Sequence, residues 1–366
     1  MVLTSPRRFE VRSFELPTVG PDDGILRVEA CGLCGTDHEQ YTGDVTNQHA
    51  FIPGHEVVGV VEALGDRAAE RWGVEAGQRV AVEVFQSCRE CVECLRGDYR
   101  RCVRNGVATM IGFIDADTAP GLGGGYATHL HLGPDVMLLP VPDGLDPVAA
   151  TLFNPLGAGI RWAVEVPETR PGDVVAILGP GIRGLCAAAA AKEAGAGFVM
   201  ITGLGERDAE RLALAPSFGV DLAVDVAETD PSAALRQAVG AKADVVVDVT
   251  AKAPAALAQA VSLARPGGTV VLAGVRGSTE TPGFHPDHIV YKELRILGAL
   301  GVDVTAYRPA LDLLVSGRYP FADLPRQVAG FDDLEPLIQT LAGERPGIPP
   351  VHAVFAPTTP VKGANP

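Results

Sequence analysis

The chain has 366 residues, enough for two domains of ordinary size, each with a buried core. Hydrophobic residues make up 47% of it and charged residues 20%, a composition that excludes a disordered chain. The net charge of −15 at pH 7 argues against nucleic acid as a partner, because so acidic a surface repels phosphate groups.

The sequence also predicts a soluble, cytoplasmic protein with no membrane partner. Its first ten residues include Arg7 and Arg8 but no apolar stretch of the kind found in secretion signals. No run of 18 uncharged apolar residues, the length a membrane helix needs, occurs in the chain.

Two different patterns of apolar residues follow one another along the chain. From Ile25 to about Leu139, short apolar runs broken by Gly and Pro predict an antiparallel, barrel-like β domain. After residue 173, apolar strands alternate with Gly-rich turns and Ala-rich helices, which predicts a parallel α/β sheet. The predicted elements are strands over 25–30, 57–63, 79–84, 174–178, 198–202, 244–249, 269–273, 294–300 and 351–355, and helices over 185–194, 307–316 and 334–341.

Four of the seven cysteines lie close together, at Cys88, Cys91, Cys94 and Cys102. Four thiolates at this spacing can hold one tetrahedral zinc ion and leave no position open for a substrate, so they predict a structural zinc lobe over about 85–105. Four ordinary cysteines in a loop are the alternative, but exposed thiols at this density would be open to oxidation. The arginines nearby are predicted to form a solvated face, at positions 96, 100, 101 and 104.

A second group of metal-binding residue types consists of Cys34, in Cys-Gly-Thr-Asp, and of His55 and Glu56, in Gly-His-Glu-Val-Val-Gly. Three protein ligands with a fourth position open is the pattern of catalytic zinc, which acts as a Lewis acid on a bound oxygen. Two other interpretations stay open from the residues alone. Cys31 and Cys34 could form a redox pair, or His55 and Glu56 could be a merely polar end of a strand.

A glycine-rich turn over 179–184, Gly-Pro-Gly-Ile-Arg-Gly, follows the predicted strand 174–178 directly and opens an Ala-rich helix. In this context the G-x-G-x-x-G spacing predicts a dinucleotide site, with the pyrophosphate at the helix N-terminus. The predicted cofactor-binding residues of this turn are Gly179, Gly181, Ile182 and Gly184. A tight turn that binds nothing is the alternative.

Taken together and in this order, these motifs resemble the zinc-dependent medium-chain alcohol dehydrogenase family, in its polyol, sugar and threonine dehydrogenase branch. The resemblance rests on Cys-Gly-Thr-Asp, Gly-His-Glu-x2-Gly-x5-Gly, the four-cysteine lobe and the dinucleotide motif, and it runs over nearly the whole chain. It implies an α/β fold with a GroES-like β-barrel catalytic domain over 1–155 and 299–366. A Rossmann domain, a doubly wound parallel sheet that binds NAD(P), is then expected over 156–298.

The resemblance also implies roles for single residues. Cys34 and His55 match catalytic zinc ligands, Glu56 matches a carboxylate that binds or approaches the metal, and Thr36 matches the hydroxyl that takes the alcohol proton. Asp37 resembles the carboxylate that orients a ligand imidazole. The implied reaction is oxidation of a secondary alcohol, or reduction of the ketone, through a zinc-bound alkoxide and hydride transfer to nicotinamide.

Three of the features that depart from the family's pattern concern the metal ligands and the cofactor site. Asn154 stands where the family usually has Cys, Asp or Glu near the metal, and a neutral amide is a poorer zinc ligand than an anion. Gly203 stands nineteen residues after Gly184, where NAD-preferring members have an acidic residue, and Arg207 nearby could bind a 2′-phosphate. This favours NADP over NAD. Arg183 replaces a residue of the motif that is usually small and apolar.

Two other functions stay open. A zinc-free NADPH-dependent enone or quinone reductase would leave Cys34, His55 and Glu56 without a purpose, and a catalytically silent dinucleotide-binding homologue would account for Asn154 and Arg183. The apolar strand predicted over 294–300 resembles the edge strand that relatives pair across a two-fold axis, which implies a homodimer or homotetramer.

Overall fold

The computed structural model describes residues 1–45, 49–277 and 280–357, which form two compact units. The first unit takes its described residues from Met1–Phe153, Asp303–Val315 and Phe321–Pro366, and the second from Asn154–Val302 and Ser316–Pro320. The domain limits expected from the sequence stay a prediction, and residues 358–366 of the expected catalytic domain lie outside the described residues.

The strands of the described residues are, in chain order, β1 (Val2–Ser5), β2 (Arg8–Glu10), β3 (Gly24–Leu33), β4 (Glu56–Leu64), β5 (Arg79–Val82), β6 (His129–Leu132), β7 (Leu138–Pro140), β8 (Val174–Leu178), β9 (Phe198–Gly203), β10 (Leu222–Asp225), β11 (Ala243–Asp248), β12 (Ala264–Leu272), β13 (Arg295–Gly298), β14 (Arg326–Ala329) and β15 (His352–Phe355).

The α-helices of the same residues are α1 (Gly35–Thr42), α2 (Asp66–Trp72), α3 (Val92–Leu95), α4 (Pro147–Ala150), α5 (Phe153–Ile160), α6 (Ile182–Glu193), α7 (Gly205–Leu214), α8 (Pro231–Val239), α9 (Ala256–Leu263), α10 (Asp287–Lys292), α11 (Val304–Ser316) and α12 (Leu334–Leu341). None of them is both long enough and apolar enough to cross a membrane.

The first unit is built on a seven-stranded sheet with the strand path β14-β15-β3-β4-β5-β7 and with β6 paired to β3. Strand β3 pairs antiparallel with β4, β6 and β15, whereas β14 and β15 run parallel to each other. The valines of β4 are β-branched residues that suit such a sheet. The aromatic rings of Tyr41, Tyr126 and Phe355 are fully buried in the core of this unit.

The second unit is a six-stranded parallel sheet with the order β10-β9-β8-β11-β12-β13. Counted from β8, this is the order 3-2-1-4-5-6 of a doubly wound sheet, which binds ligands beyond the carboxyl ends of its strands where the strand order reverses. The reversal lies between β8 and β11. The side chains of β8 from Val175 to Leu178 are completely buried, as expected for a parallel strand covered on both faces.

The strands and helices that the sequence predicts lie within a few residues of elements in the structure. Helix α6 begins at Ile182 and not at residue 185, because Gly181 has extended backbone angles and serves as the N-cap. Strand β12 begins five residues earlier than expected, through the turn residues Pro266 and Gly267. Strand β13 lies at the edge of its sheet, and its pairing with a second copy stays a prediction.

Candidate metal and cofactor sites

The end of β3 and the start of β4 bring Cys34, His55 and Glu56 together. Cys34 directly follows β3 and is the N-cap of α1, and Glu56 opens β4, where it lies opposite Gly32 of β3 in the antiparallel register. The Cys34 Sγ atom lies 3.3 Å from His55 Nε2, and the candidate ligand atoms of the three residues all lie within 4.8 Å of one another. All three side chains are buried.

Two glycines make this convergence possible. A Cβ atom at Gly32 would lie 2.3 Å from Glu56 Oε2, so the Glu56 side chain occupies the space that any other residue at position 32 would fill. Gly54, directly before His55, has a φ of +90°, and a Cβ there would lie 2.7 Å from the ring of Tyr126. The left-handed backbone at position 54 turns the chain so that His55 meets Cys34.

The group carries a surplus of acidic side chains. Asp37 Oδ2 accepts a hydrogen bond of 2.8 Å from the backbone N–H of Cys34, and Asp37 Oδ1 lies 3.9 Å from His55 Nδ1. Burial by itself lowers the pKa of His55, but the negative charges of Cys34 and Asp37 outweigh it and raise the pKa to about 10. A thiolate, an imidazole and a carboxylate are the ligand types that zinc prefers, so these residues fit that metal.

The four cysteines of the lobe also converge. Cys88 Sγ lies 3.7 Å from Cys94 Sγ, and Cys91 Sγ lies 4.0 Å from Cys102 Sγ. A tetrahedron with zinc–sulfur bonds of about 2.3 Å places its sulfur atoms about 3.8 Å apart. The backbone N–H groups of Cys91, Cys94 and Asn105 donate to the sulfurs of Cys88, Cys91 and Cys102, respectively. The spacing and the donors fit one structural zinc ion.

The expected solvated face of arginines near the lobe is wrong for Arg100. Its side chain is only 8% exposed and forms a buried ion pair with Asp303, at the start of α11. Beside it, the Tyr99 hydroxyl donates to Glu83 and accepts from the backbone N–H of Val304. The lobe is therefore tied to a segment some two hundred residues later, and no local pattern at residues 99 and 100 indicates these partners.

The glycine-rich turn of the second unit has the form that a dinucleotide site requires. Gly179 has a φ of +104°, and a Cβ at Gly184 would lie 1.9 Å from the carbonyl oxygen of Gly179, so both positions need glycine. At Gly181 an added Cβ would meet no atom within 4 Å, which leaves its backbone open to a ligand. Ile182 begins α6, a twelve-residue helix whose N-terminus is directed at this turn.

Asp225, whose carboxylate no sequence motif indicates, lies beside the turn that follows β9. Gly203 ends β9, and a Cβ there would lie 2.9 to 3.0 Å from three side chains, so a larger residue does not fit. Asp225, which ends the neighbouring strand β10, is paired with Gly203 in register, and its Oδ1 accepts from the backbone N–H groups of Gly205 and Ala227. Arg207 is exposed in the first turn of α7.

Asn154 and Arg183, two departures from the family's pattern, contact each other within the second unit. Arg183 Nη2 donates to Asn154 Oδ1 at 3.2 Å, and the guanidinium lies over the Trp162 ring, 5.3 Å from its centre. The amide oxygen of Asn154 is thus engaged by a cation, which makes it a still weaker candidate for a metal ligand.

Two family models match the chain. Residues 20–143 match the alcohol dehydrogenase GroES-like domain, and residues 184–316 match the zinc-binding dehydrogenase domain. The GroES-like match lies within the first unit, and the second match begins at the last glycine of the turn at 179–184.

Known proteins resemble the chain over nearly its full length. A Mycobacterium tuberculosis (strain ATCC 25618 / H37Rv) protein named "Probable alcohol dehydrogenase adh" is 67% identical over 358 residues, with 98% of each chain covered. Sorbitol dehydrogenase from Bacillus subtilis (strain 168) is 29% identical over 320 residues, which cover 86% of this chain and 85% of that one. A solved structure from Sinorhizobium meliloti 1021, bound to NADP, is 28% identical and superposes with a TM-score of 0.82 over 96% of this chain and 97% of that one.

Proposed function

Because the chain belongs to the zinc-type medium-chain alcohol dehydrogenase family, we propose that it oxidises a secondary alcohol, or reduces the ketone, with a polyol, sugar or amino alcohol as substrate. The enzyme is an oxidoreductase acting on CH–OH groups. The substrate class is supported by the sorbitol dehydrogenase relative and by the Asn-Pro-Leu-Gly segment at 154–157. The observation that carries the proposal is the convergence of Cys34, His55 and Glu56.

Zinc is the metal that we assign to these three residues. Cys34 would hold it through Sγ, His55 through Nε2 and Glu56 through a carboxylate oxygen. Asn154 is left out of the proposed set because its amide oxygen accepts a hydrogen bond from Arg183. When bound, zinc supplies a Lewis acid that makes the substrate hydroxyl more acidic.

The proton and the hydride are assigned to different parts of the chain. Thr36, half-buried in the first turn of α1 and two residues after Cys34, would take the proton of the substrate hydroxyl while it passes its own hydroxyl proton to water. Asp37 holds the imidazole of His55 and the backbone of Cys34 in place. When bound, a nicotinamide would supply the hydride acceptor, and the turn at 179–184 together with Gly203 and Arg207 would hold the dinucleotide.

A preference for NADP is proposed on Gly203, Arg207 and the NADP of the solved relative. Asp225 acts against a 2′-phosphate by its charge, so we expect the preference to be only a few-fold. Comparing kcat/KM for NADP and NAD in the wild type, in Arg207→Ala and in Asp225→Asn tests it. The ratio should fall in Arg207→Ala and rise in Asp225→Asn. Unchanged ratios in both variants would show that the ribose 2′-phosphate binds away from Arg207 and Asp225.

Zinc content per chain, measured by plasma mass spectrometry on protein purified without chelator, tests the metal assignment. We expect about two zinc ions in the wild type and about one in Cys34→Ser, because the cysteine lobe keeps its own. Cys31→Ala is the matched control and should keep both zinc ions and the alcohol oxidation. Loss of activity in Cys31→Ala with zinc retained would support the redox pair instead.

A wild type with about one zinc ion per chain would contradict the proposal. The site at Cys34 would then hold no zinc in the purified protein. The remaining functions would be zinc-free NADPH-dependent reduction and dinucleotide binding without catalysis. An assay of NADPH-dependent enone reduction distinguishes these two functions, because only the reductase would show turnover.

A further inference from the structure

Three buried polar atoms beside the proposed metal site lack a hydrogen-bond partner. Within the described residues they are Asp37 Oδ1, His55 Nδ1 and the Tyr126 hydroxyl, and all three side chains are at least nine-tenths buried. Native proteins contain few buried polar atoms without a partner, because each one lowers the stability of the fold, so three of them together need an explanation. Their clustering points to a network that is completed when the site is occupied.

Tyr126 is held rigidly with its ring against the turn that carries His55. The ring packs on Gly54, where an added Cβ would lie 2.7 Å away, and meets Phe355 edge to face at 5.5 Å. Its backbone carbonyl accepts a hydrogen bond of 2.7 Å from the amino group of Met1. Because the ring is fixed on both sides, the phenol oxygen is held at a fixed position.

The charge of Asp37 reaches this hydroxyl. Burial raises the pKa of Tyr126 well above its usual value, and the carboxylate of Asp37 raises it further. The phenol therefore keeps its proton and can only donate it in a hydrogen bond to a charged neighbour. Asp37 Oδ2 already accepts from the backbone of Cys34, so Asp37 Oδ1 is the atom of this carboxylate that remains for other donors.

The number of hydrogen-bond donors near Asp37 Oδ1 then matches the number that this oxygen can accept. If His55 binds a metal through Nε2, its ring must carry the remaining proton on Nδ1, which lies 3.9 Å from Asp37 Oδ1. A carboxylate oxygen has two lone pairs and can accept from two donors. With a metal on His55, its Nδ1–H and the Tyr126 O–H would supply these two donors, and each of the three atoms would then have a partner.

We infer that Tyr126 is a positioning residue of the metal site, whose hydroxyl fixes the Asp37 carboxylate in the rotation that holds His55 toward the metal. The inference rests on the proposed function, since it needs a metal on Cys34 and His55. The phenol touches neither substrate nor cofactor in this role. Its effect reaches the metal only through Asp37.

The test uses the zinc-loaded full chain and the variant Tyr126→Phe, which removes the hydroxyl and keeps the ring. Release of zinc to a chromogenic chelator should show two phases, and the phase of the Cys34 site should become about 3- to 10-fold faster. Removing a group that bonds directly to a metal ligand costs about 10- to 100-fold in metal affinity, and Tyr126 acts one step further away. The phase of the four-cysteine lobe is the internal reference and should not change.

The control is Tyr41→Phe, which also removes a buried phenol hydroxyl, one that donates to Glu335 and accepts from Gln339. It should release both zinc ions like the wild type. In an Asp37→Ala background, Tyr126→Phe should have no further effect on release, because its connection to His55 is gone. The visible absorption of the cobalt-substituted Cys34 site should shift in Tyr126→Phe and stay unchanged in Tyr41→Phe.

Equal release from the wild type and Tyr126→Phe, or an undiminished effect in the Asp37→Ala background, would overturn the inference and leave the proposed function standing. A wild type that binds metal at the lobe alone would overturn both. Faster release from both sites in Tyr126→Phe would show a general loss of stability and would also overturn it.

Discussion

Acid should destabilise the first unit through one buried histidine, His352 of β15. Its Nε2 lies 3.0 Å from Thr151 Oγ1, and the Thr151 hydroxyl donates to the carbonyl oxygen of Val148, so the histidine must donate to Thr151. That leaves Nδ1 without a proton, and within the described residues Nδ1 has no partner that could accept one. Burial, and then the positive charge of Arg326, lower the pKa of His352 to about 3.

The sign and the size of the effect follow from proton linkage. The unfolded chain takes up a proton on this residue near pH 6.5 and the folded chain only near pH 3, so the stability that His352 provides is complete above pH 6.5 and is lost as the pH falls toward 3. Between pH 7 and pH 5 the loss is about 2 kcal/mol, because the unfolded form is then about 97% protonated and the folded form about 1%.

The assay is urea unfolding of the zinc-loaded chain at pH 7, 6 and 5, for the wild type and for His352→Gln. Glutamine keeps a donor for Thr151 and does not titrate, so the wild type should lose about 2 kcal/mol more than the variant over this range. His129→Gln, on the partly exposed strand β6, is the control and should follow the wild type. Parallel pH dependence of the wild type and His352→Gln would refute the argument.

Three further predictions concern the two sites. Cys102→Ser should leave the lobe without zinc and make the chain unfold at lower urea, since a tetrahedral site with three thiolates is left incomplete; metal content and urea unfolding measure this. Gly184→Ala should abolish dinucleotide binding, measured by nicotinamide fluorescence, because the new Cβ would lie 1.9 Å from the Gly179 carbonyl oxygen, while zinc content stays unchanged. Arg183→Met should cost about 2 kcal/mol of stability in urea unfolding by removing a charged hydrogen bond to Asn154, and Asn154→Asp should raise stability by forming an ion pair instead.

The convergence of the candidate site residues could be predicted from the sequence where the residues lie in short motifs. The four cysteines occupy 15 consecutive positions, and a zinc ion of fixed geometry leaves few other uses for such a spacing. The glycines at 179 and 184 are similarly constrained, because one turn requires both. In such segments local geometry determines which side chains meet.

Residues that act through distant partners could not be found in this way. Arg100 resembles the exposed arginines around it, and its burial depends on Asp303. Asp225 lies beside the candidate cofactor residue Gly203 because β10 pairs with β9, and the order of strands in the sheet cannot be read from a local motif. For Tyr126 one signal was present, the three glycines at 123–125 directly before it, since such a run indicates close approach of another part of the chain.

The discontinuous first unit has a consequence for synthesis on the ribosome. Strand β3 needs β15 as its neighbour, and Arg100 needs Asp303, but the residues of the second unit are translated between these partners. The second unit is nearly continuous in the chain, so we expect it to fold first, although it begins after residue 153. Until β15 emerges, residues 31–33 of β3 stay unpaired on the edge that β15 later covers, and they are open to pairing with another nascent chain. Truncation before residue 352 should therefore produce aggregates and not a shortened enzyme.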